Sequence, residues 1–147
     1  MAFKLMLKQP VDGMSFIWNV SGHVGCKANC ENRPTDVELV KFLFREINQR
    51  EAFHRLTPSC KSPLVTVNGT FDAVLGFCIY AFEDFPGTTI DGTISPAKGV
   101  TYSAGQLWQI VFLNGRLHKL APDVWASIDK NAQLSPALKA ELAKTTT

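Results

Sequence analysis

The stretch 67–85, VNGTFDAVLGFCIYAFEDF, constrains the fold more than any other part of the chain. Val74, Phe77, Cys78, Ala81, Phe82 and Phe85 recur at the spacing of one helical face. A helix of this kind must bury that face against a partner. Asn68-Gly69 sets a turn before it, because both residues tolerate positive φ. Asp72 is placed to cap its first turn. Pro86-Gly87 ends it, and Asp91-Gly92 makes a second turn beyond.

The partner is predicted at residues 35–50. Thr35 followed by Glu38 has the capping-box spacing, Asp36 complements the helix dipole, and Val37, Val40, Leu43, Phe44 and Ile47 form an apolar stripe. The Phe77, Cys78, Phe82 face is expected on Val40, Leu43 and Ile47, each large side chain contributing roughly 1.5–3 kcal/mol by burial. Residues 121–129 and a segment opened by Ser135-Pro136 are predicted as further short helices, and Ser95-Pro96 as the start of another. Residues 107–115, LWQIVFLNG, suit strand and helix equally. FKLML and MSFIWNV, in residues 1–20, predict a loose hairpin or two short extended segments, with 64–67 extended as well. The terminal TTT is expected to fray.

These elements predict a mainly α fold, with α+β as the alternative. A three-helix core would carry short extended segments at the N-terminus and near 107–115. The expected organisation is an N-terminal extension over 1–20, a helical core over 21–114 and a C-terminal helical extension over 115–147, in one compact domain. A chain of 147 residues, 46% apolar, can bury such a core. Its net charge of +2 is spread along the sequence, which argues against nucleic acid as a partner. No apolar run approaches the roughly 18 residues of a membrane span. Lys4 and Lys8 break the only signal-like apolar stretch. A cytoplasmic protein as synthesised is expected, with signal-independent delivery to the cell envelope as the alternative. Of the four cysteines, Cys26 and Cys30 lack zinc-finger spacing and Cys78 lies on the apolar helix face. Reduced thiols are expected, a disulfide from Cys60 to Cys26 or Cys30 being the lesser alternative. The sequons at Asn19 and Asn68 read as accidental.

Candidate chemistry is sparse. Asp36, Glu38, Glu83 and Asp84 show exposed-face spacing rather than the pairing that a glycosidase needs. His23, His54 and His118 form no metal motif, and His54 with Cys60 carries no nucleophile signature. No catalytic residue, metal or cofactor is expected. Trp18, Trp108 and Trp125 are expected to anchor the flanking segments on the core.

The order of several pieces resembles peptidoglycan-binding domains. Val24-Gly25, Asn32-Arg33-Pro34 and Asp36-Val37 resemble the family's opening. Asn68-Gly69-Thr70-Phe71 is similar to its second landmark. Ile79 and Phe82-Glu83 stand where the next helix carries Ile and Phe-Gln, and Asp91-Gly92-Thr93-Ile94 and Leu113-Asn114 follow in order. The likeness covers about residues 21–114 and departs from the family pattern at Asp72, Leu75 and Glu83. It implies a non-enzymatic module that binds cell-wall peptidoglycan. The alternative is an adaptor or structural protein of a phage or secretion system, taking an envelope-related protein as partner. It implies ligand contacts from Asn68, Gly69, Phe71, Asp72, Asp91, Gly92 and Ser95. Beside that stands the plainer role of these residues: Phe71 packing under its turn, Asp72 and Asp91 capping and closing theirs.

Overall fold

The computed structural model describes residues 1–50, 65–84, 91–98 and 108–146. Its order is β1 (Phe3–Val11), β2 (Met14–Asn19), β3 (Val24–Gly25), α1 (Pro34–Arg50), α2 (Ala73–Asp84), β4 (Thr93–Ile94), α3 (Gln109–Leu120), α4 (Pro122–Ala126), a 3₁₀ turn at Ile128–Lys130, α5 (Pro136–Leu142) and β5 (Thr145–Thr146). The expected mainly helical, three-helix architecture is therefore corrected. The fold is α+β, with a three-stranded mixed sheet in the order β2-β1-β5 and a two-stranded ribbon of β3 and β4.

Of the two readings for residues 1–20, the structure has the hairpin, formed by β1 and β2. Phe3 faces Asn19 and Met6 faces Phe16 in antiparallel register, before an irregularity that ends at Val11 and Met14. Asp12 and Gly13 close it with φ of 47° and 81°. Two successive positive φ values give the primed turn whose twist matches paired strands, and Asp-Gly is a favoured sequence for it. Lys4 conceals the alternation of β1 by lying across the sheet, its ammonium 4.1 Å from the centre of the Phe16 ring.

Residues 109–120 are helical. Asn114 shows what the helix provides there. Its amide oxygen accepts from Trp18 N–H (2.8 Å) and from the Trp125 indole (2.9 Å). Its amide nitrogen donates to the carbonyls of Trp18 and Ile110, both at 2.8 Å. Trp18 in turn donates to the Trp125 carbonyl at 2.6 Å, and Phe16 stacks on Trp125 at 4.5 Å. The expected boundary between 114 and 115 thus falls inside α3, and the N- and C-terminal segments meet on it. They meet again where β5 pairs in parallel with Lys4 and Leu5, so the chain end expected to fray joins the sheet at Thr145 and Thr146.

Helix α1 is the hub, buried from Asp36 to Phe44. It starts at Pro34, a residue suited to the first helical position. The first helical bond runs from Val37 N–H to the Arg33 carbonyl, so Thr35 lies inside the helix rather than capping it. Glu38 reaches the amide and hydroxyl of Ser135 instead, at 2.8 and 2.7 Å, tying α5 to α1. Asp36 accepts from the amides of Ser21 and Gly22. Asp36 and Glu38 thereby satisfy the backbones of the segments around the helix, which is how they remain buried.

Helix α2 meets α1 through Phe82 on Phe44 and Asp72 on Lys41, with a different face buried from the one expected. Leu75, Cys78, Ile79 and Phe82 are buried, and Phe82 meets Phe44 edge-on at 5.8 Å. Phe77, expected in the core, is 56% exposed. Nearly every position of α2 is apolar, so two stripes fit the helical period, and the one carrying the aliphatic pair Leu75 and Ile79 packs inward. Residues 95–98 are not helical; Asn19 clasps the Ala97 amide and carbonyl at 3.1 and 2.9 Å, as a neighbouring strand would. His54, Cys60, Phe85, Pro86 and Gly87 lie outside the described residues.

Candidate functional site

The two turns anticipated as a binding surface sit at opposite ends of α2, whose twelve residues span about 17 Å. At the N-terminal end, the Asn68 side chain accepts from the Lys41 ammonium at 2.8 Å and from Thr70 N–H at 3.1 Å. Asp72 accepts from Lys41 at 2.7 Å through one oxygen and from Leu75 N–H at 2.9 Å through the other. It caps α2 and anchors the turn to α1 at once. Burial pushes its carboxyl up, but Lys41 and the backbone donors outweigh this and hold it below the ordinary value. Gly69 lies against Pro34, where a Cβ would come within 2.9 Å of that ring. Phe71 is partly buried on the core and reaches across to Gly76.

At the C-terminal end, Glu83 is fully buried and accepts from the amides of Asp91 (3.1 Å) and Gly92 (2.7 Å). Burial, then the hydrogen bond with the Asp91 side chain, pushes its carboxyl up to about 7 against the pull of those amides. Asp91 closes its own turn by accepting from Thr93 N–H at 2.9 Å. Gly92 has a φ of 72° and lies under the Tyr80 ring and the Cys26 thiol, where a Cβ would meet atoms at 2.8 and 2.9 Å. Ser95 meets the His23 ring at 3.0 Å. Cys26 and Cys30 carry free thiols, 3.4 Å from the Tyr80 hydroxyl and 3.6 Å from that of Thr93. The contact with Cys26 is the chief reason that the Tyr80 phenol stands above its ordinary value.

The structure thus brings Asn68, Gly69, Phe71 and Asp72 together, brings Asp91, Gly92 and Ser95 together, and keeps the two groups apart. Between them lies the outer face of α2, where Phe77 and Tyr80 are 56% and 43% exposed. Three and four residues apart on a helix means one face, so the two rings are neighbours. Tyr80 drew no attention in the sequence; its signal is its place one turn beyond Phe77. Lys41 was equally invisible, since a lysine within an apolar stripe ordinarily reads as solvated.

Of the carboxylates weighed for catalysis, the three whose side chains are described serve separate backbones. Asp36, Glu38 and Glu83 each hold the backbone of a different segment. Among the described residues no group of three or more His, Cys, Asp or Glu is arranged to hold a metal, and no helix is long and apolar enough to cross a membrane. No family model, no curated protein and no solved structure matches the chain.

Proposed function

We propose that the chain is a non-enzymatic binding module that recognises cell-wall peptidoglycan through the outer face of α2. The exposed pair Phe77 and Tyr80 carries this proposal. Aromatic rings offer flat apolar surfaces with polar edges, suited to sugar rings and to peptide planes alike. The turns on either side add the exposed Asn68 and the partly exposed Asp91 as polar flanks. The order of residues that resembles peptidoglycan-binding domains supports the choice of ligand. Binding rather than catalysis is favoured because the buried carboxylates are engaged by backbone donors.

The test is co-sedimentation with purified sacculi. Enrichment over an unrelated domain of similar charge, lost in Phe77→Ala/Tyr80→Ala while circular dichroism is unchanged, is the expected result. No enrichment removes the glycan ligand. A second ligand class, a protein partner, is favoured by the apolar character of α2 all round, with Val74 and Ala81 also only partly buried. Its signature is a stable assembly in light scattering that the same double substitution dissolves.

A further inference from the structure

Residues 62–97 contain four acids, Asp72, Glu83, Asp84 and Asp91, and no Lys, Arg or His, in a chain whose net charge is +2. This stretch contains α2 and both its turns, and its outer face carries the exposed Phe77 and Tyr80. The acids at its two ends differ in their surroundings. Asp72 is matched by the Lys41 ammonium at 2.7 Å. Asp91 is partly exposed, and among the described residues no Lys or Arg forms an ion pair with it. Tyr80 stands at that same end. Its ring lies over Gly92, where a Cβ would meet the Cζ and Oη atoms at 2.8 Å, and its hydroxyl rests 3.4 Å from the Cys26 thiol. The ring is thus held beside the turn that Asp91 closes. Its phenol stands above the ordinary value through Cys26 first, then burial, then the negative charges of Glu83 and Asp91, so those charges reach the ring.

We propose that the outer face of α2 takes a primary ammonium, held between the Tyr80 ring and the Asp91 carboxylate, with its aliphatic stem along Phe77. The inference rests on the peptidoglycan reading above and names the part of that polymer recognised, the stem peptide. The sugar nitrogens of peptidoglycan are acylated and neutral, whereas the side-chain amine of a dibasic stem residue is cationic wherever it is not cross-linked. An ammonium is drawn to the face of an aromatic ring by the ring's quadrupole, and a carboxylate beside the ring adds a charge-assisted hydrogen bond. The stem of such a side chain is apolar and covers a neighbouring ring while its head stays charged. Holding Tyr80 on Gly92 and Cys26 before the ligand arrives lowers the cost of ordering it.

The ordinary alternative is that Asp91 only closes its turn and that the two rings bind by apolar contact alone. Sacculi whose free amines have been acetylated separate the two accounts, because acetylation removes the charge and leaves the glycan and peptide backbone in place. In co-sedimentation with the full chain, acetylated sacculi should bind about tenfold more weakly than untreated ones. Tyr80→Leu, which keeps an apolar side chain without a ring face, and Asp91→Asn, which keeps the acceptor for Thr93 N–H, should each narrow that difference to about threefold. Equal binding of treated and untreated sacculi overturns the ammonium and leaves the peptidoglycan reading standing. A tenfold difference that both variants preserve overturns its placement on this face. Absence of binding to either preparation removes the peptidoglycan reading, and the ammonium is then decided by a ¹⁵N titration with Nα-acetyl-lysinamide and its neutral Nε-acetylated analogue. Saturable shifts at the amides of residues 77–81 and 91–93 from the cation alone support it. Equal shifts from both probes, or none from either, overturn it.

Discussion

Lys41 and Asp72 share a 2.7 Å contact but not an environment: the lysine side chain is 0% exposed and the aspartate 41%. Their removal should therefore be unequal. Asp72→Ala leaves a buried ammonium without its counter-charge and takes away the α2 cap, for a loss of about 3 kcal/mol or more. Lys41→Met leaves behind a carboxylate that water can reach, and should cost less than half as much. Urea unfolding of the two variants checks the order. Glu83 makes a second residue-scale prediction. Its carboxyl is raised from 4.5 to about 7 in the fold, so the native state holds a proton that the unfolded chain has lost between those values. Its contribution to stability is full below 4.5 and declines as pH rises to about 7. Glu83→Gln should flatten that decline in thermal melts from pH 4 to pH 8. Glu83→Ala, which leaves the Asp91 and Gly92 amides without their acceptor, should cost about 2 kcal/mol or more at pH 4 and less at pH 8.

At the scale of the element, α2 has an inner and an outer aromatic residue with opposite expected behaviour. Phe82→Ala removes a buried ring packed on Phe44 and should destabilise by about 3–5 kcal/mol. Phe77→Ala should change stability by less than about 0.5 kcal/mol while weakening ligand binding. Paired denaturation and sedimentation measurements distinguish the two. This helix also shows what was legible in the sequence. Its existence, its turns and its Asp72 cap follow from local chemistry, which acts over a few residues. Which face turns inward does not, because a helix apolar on nearly every side carries no single period. The same limit applied at Glu38, whose spacing from Thr35 suited a local cap but whose partner is Ser135, 97 residues away. The hairpin was legible only as one of two readings, because Lys4 and a register irregularity before Val11 weaken the alternation on β1 that would have decided between them. The candidate site was legible as two turns. That a buried lysine holds one and a buried glutamate the other depends on contacts between distant segments.

For the molecule as a whole, the hub helix and the crossing of the two ends predict cooperative behaviour. Glu38 holds α5, Asn114 joins β2 to α3 and α4, and β5 completes the sheet begun by β1. Urea transitions followed by tryptophan fluorescence and by far-ultraviolet circular dichroism should coincide. Asn114→Ala orphans the buried Trp18 amide and carbonyl and the Trp125 indole N–H, and should lower stability by about 3 kcal/mol or more without splitting the transition.

Asn19 heads an Asn-Val-Ser triplet, the acceptor pattern for a sugar added during secretion in eukaryotic hosts. Here its amide is fully buried, with both polar atoms committed to the backbone of Ala97. An oligosaccharide on that nitrogen would remove one of those bonds and force a bulky hydrophilic chain into the interior. Production through such a pathway should yield glycosylated, misassembled material, and Asn19→Gln would not repair it, since the longer side chain no longer matches the spacing of the clasp. Ser21→Ala is the better remedy: it erases the acceptor pattern and leaves the clasp intact, giving up only the hydroxyl bonds to Asp36 and Arg33 and the contact with the chain's first amino group.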